Sequence, residues 1–472
     1  MIKIRTLVLV SFFVFQISNC FSQYWKGIGG LNREPRCMYE DTVDNVLYIG
    51  GSFAFAGNDT ASQIVKWNGS QFSSLGCGLN WDCNPNNIFT TSAHVLAITR
   101  YQNEIYAAGD IVLADGKPVR NIAKWNGVSW DTVGRGLNGV VCMLTVINNK
   151  LYAGGTFDTA GSAHANSLAK WNGSQWTDLL SFPQINLGQN YVLSIAEYNG
   201  ELYVGGNFDN DTLSDIIKYN GSAWVNVGGS LHGGMSSVSK MVVYKNELYV
   251  AGTFYHNQGN IGNFIQRWDG TNWKDVGGGT TSVLFNPSAN GQIDDMIVHD
   301  DKLYIAGVFL YAGGIPTQNA AVWDGNQWCG FGGSFDNIGL NVGFCKDTMY
   351  LGGGFITIDG DTVNRIAKWT GGSYVDTCGN NSAINENAAE NNNVLIYPNP
   401  AINEVSIKLN KPSENDALVS VFNSLGEEVF KKKVCKMESE VKIDVAKLHA
   451  GMYFVRMSDA GCRIYTGRFV KE

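Results

Sequence analysis

The sequence predicts an all-β protein, a seven-bladed β-propeller followed by a small C-terminal β-sandwich. Two recurring motifs and one change of composition carry that prediction. A strand centred on tyrosine recurs at Tyr48, Tyr106, Tyr152, Tyr203, Tyr249, Tyr304 and Tyr350, in steps of 58, 46, 51, 46, 55 and 46 residues. Each is followed by a turn, Lys66-Trp67-Asn68-Gly69 and its copies at Trp125, Trp171, Tyr219, Trp268, Trp323 and Trp369. Repeats of about 50 residues made of short strands belong to propeller blades rather than helical solenoids. Charged residues then rise from 54 of the first 393 positions to 22 of the 79 from Val394 onward, which marks a second domain.

Each repeat divides into four strands. The first is an apolar run such as His94-Val95-Leu96-Ala97-Ile98, closed by a polar turn, Tyr101-Gln102-Asn103-Glu104. The second is the tyrosine strand, Leu47-Tyr48-Ile49-Gly50-Gly51 in the first copy, whose glycines suit a close approach between neighbouring sheets. The third, Asn121-Ile122-Ala123-Lys124-Trp125 and its copies, ends in Asn-Gly or Asp-Gly, which accept positive φ and make a tight hairpin. The fourth carries an aromatic and a glycine, as in Trp130 to Gly134, Trp224 to Gly228 and Trp273 to Gly277. Four antiparallel strands without helical periodicity make one blade, and each blade needs neighbours to bury its faces. An extra fourth-strand copy, Trp25-Lys26-Gly27-Ile28-Gly29-Gly30, is expected to complete the seventh blade and hide its edge; Tyr374-Val375-Asp376 is the rival. This pattern resembles kelch-type propellers from Tyr24 to Gly379, and departs from them in ending the third strand with Trp-Asn-Gly. The resemblance implies the fold and no particular partner.

Lys3 and Arg5 precede an apolar run from Leu7 to Ile17, too short to span a bilayer and laid out as a secretory signal over residues 1–22. Cys20 follows Ile17-Ser18-Asn19, a poor lipoprotein box, so soluble export is expected, with no transmembrane segment in the mature chain and a monomeric product. The propeller is expected over 23–379. Residues 380–393 (NNSAINENAAENNN) read as a flexible linker.

From 394 to 472, short alternating runs such as Glu404-Val405-Ser406-Ile407-Lys408-Leu409 and Glu440-Val441-Lys442-Ile443-Asp444-Val445 predict the sandwich. Its residues resemble the C-terminal sorting domain (type A) of the type IX secretion system of Bacteroidota. The likeness rests on Tyr397-Pro398-Asn399-Pro400, Asn423-Ser424-Leu425-Gly426, Leu448-x-x-Gly451-x-Tyr453-x-Val455 and the closing Phe469-Val470-Lys471. It implies passage through the periplasm, recognition by the type IX machinery, and a product that is secreted or attached to the outer-membrane surface. It also implies that Pro398, Asn399, Pro400, Gly426, Gly451, Tyr453 and Lys471 belong to the sorting signal.

The formal net charge of −8 divides unevenly: 12 Lys/Arg against 10 Asp/Glu from Val394 onward, 22 against 32 before it. Neither part carries a basic patch interleaved with aromatics, so no nucleic-acid partner is expected. Cys77 and Cys83 flank a short loop, and Cys435 and Cys462 are the only cysteines of the tail; both pairs are disulfide candidates in an exported chain. Cys37 and Cys142 read as free thiols at matching first-strand positions. The histidines His94, His164, His232, His256 and His299 lack metal-ligand spacing, and no Gly-x-Ser-x-Gly is present. No metal, cofactor or catalytic residue is assigned. The acidic pairs Asp294-Asp295, Asp300-Asp301, Asp209/Asp211 and Asp359/Asp361 do not fit a calcium loop. Two carboxylates meeting near the central channel would make a polysaccharide-degrading enzyme, one alternative to binding. A passive structural or adhesive surface protein is the other.

Long segments join the second and third strands, Ala54–Gln63, Asp110–Val119, Asp158–Ser167, Tyr255–Asn263, Leu310–Gln318 and Ile356–Asn364, all on one face. Loops on a rigid scaffold carry binding, so a glycan or protein ligand is expected there. Phe55, Trp81, Tyr255, Phe285 and Tyr311 are the candidates for stacking on a sugar or anchoring a protein. The repeated tryptophans and tyrosines read as core. Finally, Asp-Thr before an apolar residue resembles an O-glycosylation acceptor of Bacteroidota; Thr60, Thr159, Thr212 and Thr362 fall in the long loops, whereas Thr42, Thr132 and Thr348 read as turn starts.

Overall fold

A computed structural model of the chain describes residues 24–80, 83–84, 94–179, 182–183, 191–209, 213–229, 231, 237–254, 259–282, 291–371, 395–408, 417–423, 428–434, 440–459 and 464–472. The expected signal peptide, linker and Tyr374 strand lie outside these residues. So do Trp81, Tyr255, Phe285, Thr212, Gly426, Cys435 and Cys462. The chain divides into two units, one of Ser22–Gly379 and one of Met1–Phe21 with Asn380–Glu472. Every regular element among the described residues is a strand.

The first unit contains seven four-stranded antiparallel sheets, hydrogen-bonded in chain order in the first six. The first sheet runs Pro35–Asp41, Val46–Gly51, Ile64–Trp67, Phe72–Ser74. The innermost strands of the others are Val95–Tyr101, Val141–Ile147, Tyr191–Tyr198, Val238–Tyr244, Gln292–His299 and Gly339–Cys345. Each innermost strand packs on the innermost strand of the next sheet, and the seventh packs on the first. The N-terminal strand Trp25–Gly27 supplies the fourth place of the seventh sheet, pairing Trp25 with Trp369.

Local chemistry explains the repeat. At the hairpin before the fourth strand, the Asn68 side chain accepts the backbone N–H of Ser70 and Gln71, and Gly69 takes a φ of 95°. Asn126, Asn172, Asn220, Asp269 and Asp324 do the same in the next five sheets. The seventh copy has Thr370 instead, and its N–H and hydroxyl both reach the Tyr24 carbonyl at 2.8 Å, because the fourth strand there comes from the other end of the unit. Third- and fourth-strand rings pack on one another, as in Trp171 on Trp176. The fourth-strand indole N–H then donates to a carbonyl of the preceding sheet: Trp130 to Leu75, Trp176 to Val133, Trp273 to Val227, Trp328 to Val276, and Trp25 to Gly332. Second-strand glycines let the sheets touch: a Cβ on Gly50 would lie 2.5 Å from the Val95 side chain, and one on Gly205 equally close to Val238.

The second unit has a three-stranded and a four-stranded sheet, with strands Leu395–Tyr397, Glu404–Lys408 and Glu440–Asp444 in one and Ala417–Phe422, Glu428–Val434, Gly451–Asp459 and Ile464–Lys471 in the other. Val405, Ile407, Val419, Val421, Tyr453 and Phe469 share its core.

Candidate functional site

Every innermost strand of the first unit carries a bulge near its start. Pairing with the second strand skips Arg36, Leu96, Cys142, Leu193, Ser239, Asp294 and Leu340 in turn. A bulge bends a strand and re-aims the extra residue, which is why bulges gather at sites. All seven bulged residues line a single cavity of about 410 Å³. The residue after each bulge faces the second-strand glycine or alanine, as Cys37 faces Gly50 and Lys240 faces Ala251. That end of the second strand leads into the long loops, so the cavity lies at the long-loop end of the innermost strands. One expectation is corrected here: Cys37 and Cys142 do not match in register, because Cys37 follows a bulge and Cys142 is one. Both are free thiols, and both line the cavity.

The residues after the bulges tie neighbouring innermost strands together. Cys37 Sγ donates to the Val95 carbonyl at 3.7 Å, Met241 N–H donates to Ser194 Oγ at 2.9 Å, and Asn341 Nδ2 donates to the Pro35 carbonyl at 2.9 Å. Lys240 Nζ meets Asp295 Oδ1 at 2.8 Å, and Asp295 Oδ2 accepts the Val342 N–H at 3.2 Å. The cavity wall is therefore uneven. Its second to fourth sheets contribute Leu96, Cys142 and Leu193; its fifth to seventh and first contribute Ser239, Lys240, Asp294, Asp295, Asn341 and Arg36 beside the apolar Leu340 and Met38.

Electrostatics follow from that placement. Burial pushes the Asp294 carboxyl up to about 6; Gln292 Nε2 donates to both its oxygens and lowers it, Asp295 raises it, and Arg36 lowers it. The charge of Asp295 raises Lys240. Burial lifts the Cys37 and Cys142 thiols to about 12 and about 11, so neither is a nucleophilic thiolate at neutral pH. Asp295 is committed to Lys240 and two backbone N–H groups, those of Val342 and Met296. One carboxyl, Asp294, is left without a cation at hydrogen-bond distance. Among the described residues no group of three or more His, Cys, Asp or Glu is placed to hold a metal ion.

Five of the long loops fold into two-residue ribbons with one plan. Phe55 pairs with Thr60, Leu113 with Pro118, Thr159 with His164, Tyr311 with Pro316 and Thr357 with Thr362. Phe55 and Tyr311 thus hold the same ribbon position in the first and sixth sheets; Phe55 is exposed and Tyr311 half-buried. The residue before the ribbon is exposed and apolar in three sheets: Val112 at 51%, Leu310 at 45% and Ile356 at 45%. A pocket of about 290 Å³ between the sixth long loop and the crossing into the seventh sheet is lined by Leu310, Phe335 and Ile338. Thr60 and Thr362 are exposed and occupy equivalent positions on the outer ribbon strand. Thr159 lies on the opposite ribbon strand, its hydroxyl donating to Asp158 at 2.8 Å. Cys77 and Cys83 are joined by a disulfide, and Cys329 is also disulfide-bonded.

Sequence reasoning named Asp294 and Asp295 only as an acidic pair and did not single out Arg36, Lys240 or Asn341. The available signal was the position two or three residues into each apolar first strand, where polar side chains interrupt a buried run.

In the second unit the motif residues converge on the last strand. Asn399 Oδ1 accepts the Val470 N–H at 2.8 Å, and Ala401 N–H donates to the Val470 carbonyl at 2.7 Å. Gly451 pairs with Lys471, and Tyr453 stacks on Phe469 while its hydroxyl donates to the His449 carbonyl at 2.8 Å. Lys471 is buried, its ammonium on the Glu472 carbonyl. Pro398 and Pro400 are exposed beside Asn399.

No curated protein matches the chain. Among solved structures, an exo-β-1,3-galactanase from Phanerochaete chrysosporium bound to β-1,3-galactotriose is 11% identical, with 94% of this chain and 99% of that chain covered and a TM-score of 0.30. A protein with an immunoglobulin-like β-sandwich fold from Bacteroides vulgatus is 17% identical over 17% of this chain and 84% of its own, with a TM-score of 0.15. No helix among the described residues is long and apolar enough to cross a membrane. Residues 395–472 match the family described as the secretion system C-terminal sorting domain, and the chain is thereby exported through type IX secretion to the cell surface or the medium.

Proposed function

We propose that the first unit is a seven-bladed, kelch-like β-propeller that binds a glycan or protein outside the cell through its long-loop face. The sorting domain is its export address. Support for the propeller comes from seven four-stranded sheets whose innermost strands each pack on the next, the last on the first. The observation that carries the binding reading is the repeated exposure of apolar side chains at one loop position, Val112, Leu310 and Ile356, with Phe55 beside that position in the first sheet. Apolar groups clustered on one face of a soluble protein mark interaction surfaces. Glycoside cleavage by the usual mechanism needs two working carboxylates across the scissile bond. The cavity offers one, Asp294, since Lys240 and backbone N–H groups hold Asp295, and this favours binding over hydrolysis. Thr60 and Thr362, exposed on equivalent ribbon strands, are the better glycosylation acceptors; intact mass of the secreted protein without added hexose would remove them.

A glycan array and a pull-down with the secreted protein test the binding reading. The expected result is a retained ligand whose capture falls at least tenfold in the combined variant Phe55→Ser, Val112→Ser, Leu310→Ser, Ile356→Ser. Capture unchanged in that variant would end the loop-face reading.

A further inference from the structure

We propose that the axial cavity is a binding site for a free α-amino acid. In this assignment Arg36 takes the carboxylate, Asp294 takes the ammonium, and the Leu96 and Leu193 wall takes an apolar side chain. The proposal goes beyond loop-face binding and does not rest on it.

Charge pairing in the cavity is incomplete in one specific way. Lys240 and Asp295 satisfy one another at 2.8 Å. Arg36 is solvent-exposed at the cavity and has no hydrogen bond or ion pair among the described residues, and the nearby Glu34 is engaged by Arg365 at 2.6 Å. Among the described residues Asp294 accepts only from Gln292. One cation and one carboxyl are therefore left over, on the first and sixth sheets, with the innermost strand of the seventh between them. The charge of Arg36 is felt at Asp294.

The facing wall has no charge to offer, since Leu96 and Leu193 are apolar and the Cys142 thiol is protonated.

The ligand class follows from what each candidate would leave unmet. A lone anion answers Arg36 but leaves Asp294 without a cation. A neutral sugar leaves both charges unpaired. A zwitterion with its two charges close together answers both, and its side chain has an apolar wall to cover. Ligand pockets run from about 300 to 1,000 Å³, so the cavity is at the small end, in keeping with a single small molecule.

Isothermal titration of the secreted protein with L-leucine, N-acetyl-L-leucine, L-leucinamide, leucylglycine, galactose and sulfate tests this. Saturable binding of L-leucine is expected, at least tenfold weaker for the N-acetyl derivative, the amide and the dipeptide. It is also expected to weaken at least tenfold in Arg36→Gln and in Asp294→Asn. No heat from L-leucine at about 10 mM, well above any useful dissociation constant, would overturn the assignment. So would equal binding of a derivative that lacks either charge, or binding of galactose or sulfate in its place. The derivative series needs no variant, so it holds if a substitution impairs folding. Phe55→Ser with Ile356→Ser lies outside the cavity and leaves leucine binding unchanged, so this site and the loop-face reading fail separately.

Discussion

Lys240 Nζ sits 2.8 Å from Asp295 Oδ1, binding the innermost strands of the fifth and sixth sheets at the cavity wall. Asp295 also accepts the N–H of Val342 on the seventh. One carboxylate thus ties three sheets together where the strands are bent by bulges.

Removing either partner should cost stability, unequally. Lys240→Ala leaves the Asp295 charge with backbone donors, and Lys240 is itself 43% accessible, so the full penalty of a broken buried pair does not apply. A loss of about 1–3 kcal/mol is expected. Asp295→Ala also abandons two backbone N–H groups and should cost more. Denaturant titration of both variants checks the order; equal or negligible losses would show that the pair does not hold the sheets.

Asp294 should act in the opposite direction. Its carboxyl is raised from an ordinary aspartate value to about 6, so between pH 4 and 6 the folded state holds a proton that the unfolded state has released. Stability from this group is present below the unfolded value and is lost as pH rises through 6. At pH 7.5 the ionised carboxylate is therefore a burden of about 1–3 kcal/mol. Asp294→Asn should raise Tm at pH 7.5 by about 2–5 °C and have little effect near pH 4. A Tm that falls at pH 7.5 would contradict the burial of this carboxyl. A side chain kept at a cost to stability fits a binding role.

On the first and second sheets, Arg100 grips Asp41 through Nε, 3.1 Å from both oxygens, and through a further guanidinium nitrogen. Asp41 is almost fully buried. Arg100→Ala should cost about 3–5 kcal/mol by leaving that carboxylate unpaired. Arg100→Lys should recover only part of it, since an ammonium cannot reproduce the fork. Equal stability of the Lys variant and the original would show that charge alone matters there.

Trp25 is fully buried, pairs with Trp369, and donates to the Gly332 carbonyl at 2.6 Å. Trp25→Ala should cost about 3–5 kcal/mol. Removal of residues 24–30 should expose the edge of Ile366–Trp369 and promote self-association, read by light scattering. A truncated protein that stays monodisperse with unchanged Tm would sever the N-terminal strand from the fold.

Much of this architecture was legible because the repeat writes its local chemistry seven times. Asn68 and Gly69 announce a hairpin, and the Trp-Asn-Gly series counts the sheets. Even the exception carried information: Thr370 breaks the series in the sheet whose fourth place is taken by Trp25–Gly27, and its partner is Tyr24. The cavity was less legible. Its lining depends on bulges, and a single extra residue moves a side chain from one face of a strand to another without changing composition. Hence Cys37 and Cys142 read as equivalent although they differ by one position in register. Arg36, Lys240 and Asn341 come from sheets far apart in the chain, and only the packing of the innermost strands gathers them.

Hydrogen exchange of the secreted protein, with and without the ligand it captures, tests the loop-face account most directly. Protection is predicted in 54–63, 110–119, 310–318 and 356–364, with the hairpins at Asn68, Asn126 and Asp324 unchanged. Protection confined to those hairpins, with the four long loops unaffected, would place the ligand on the opposite face and contradict it.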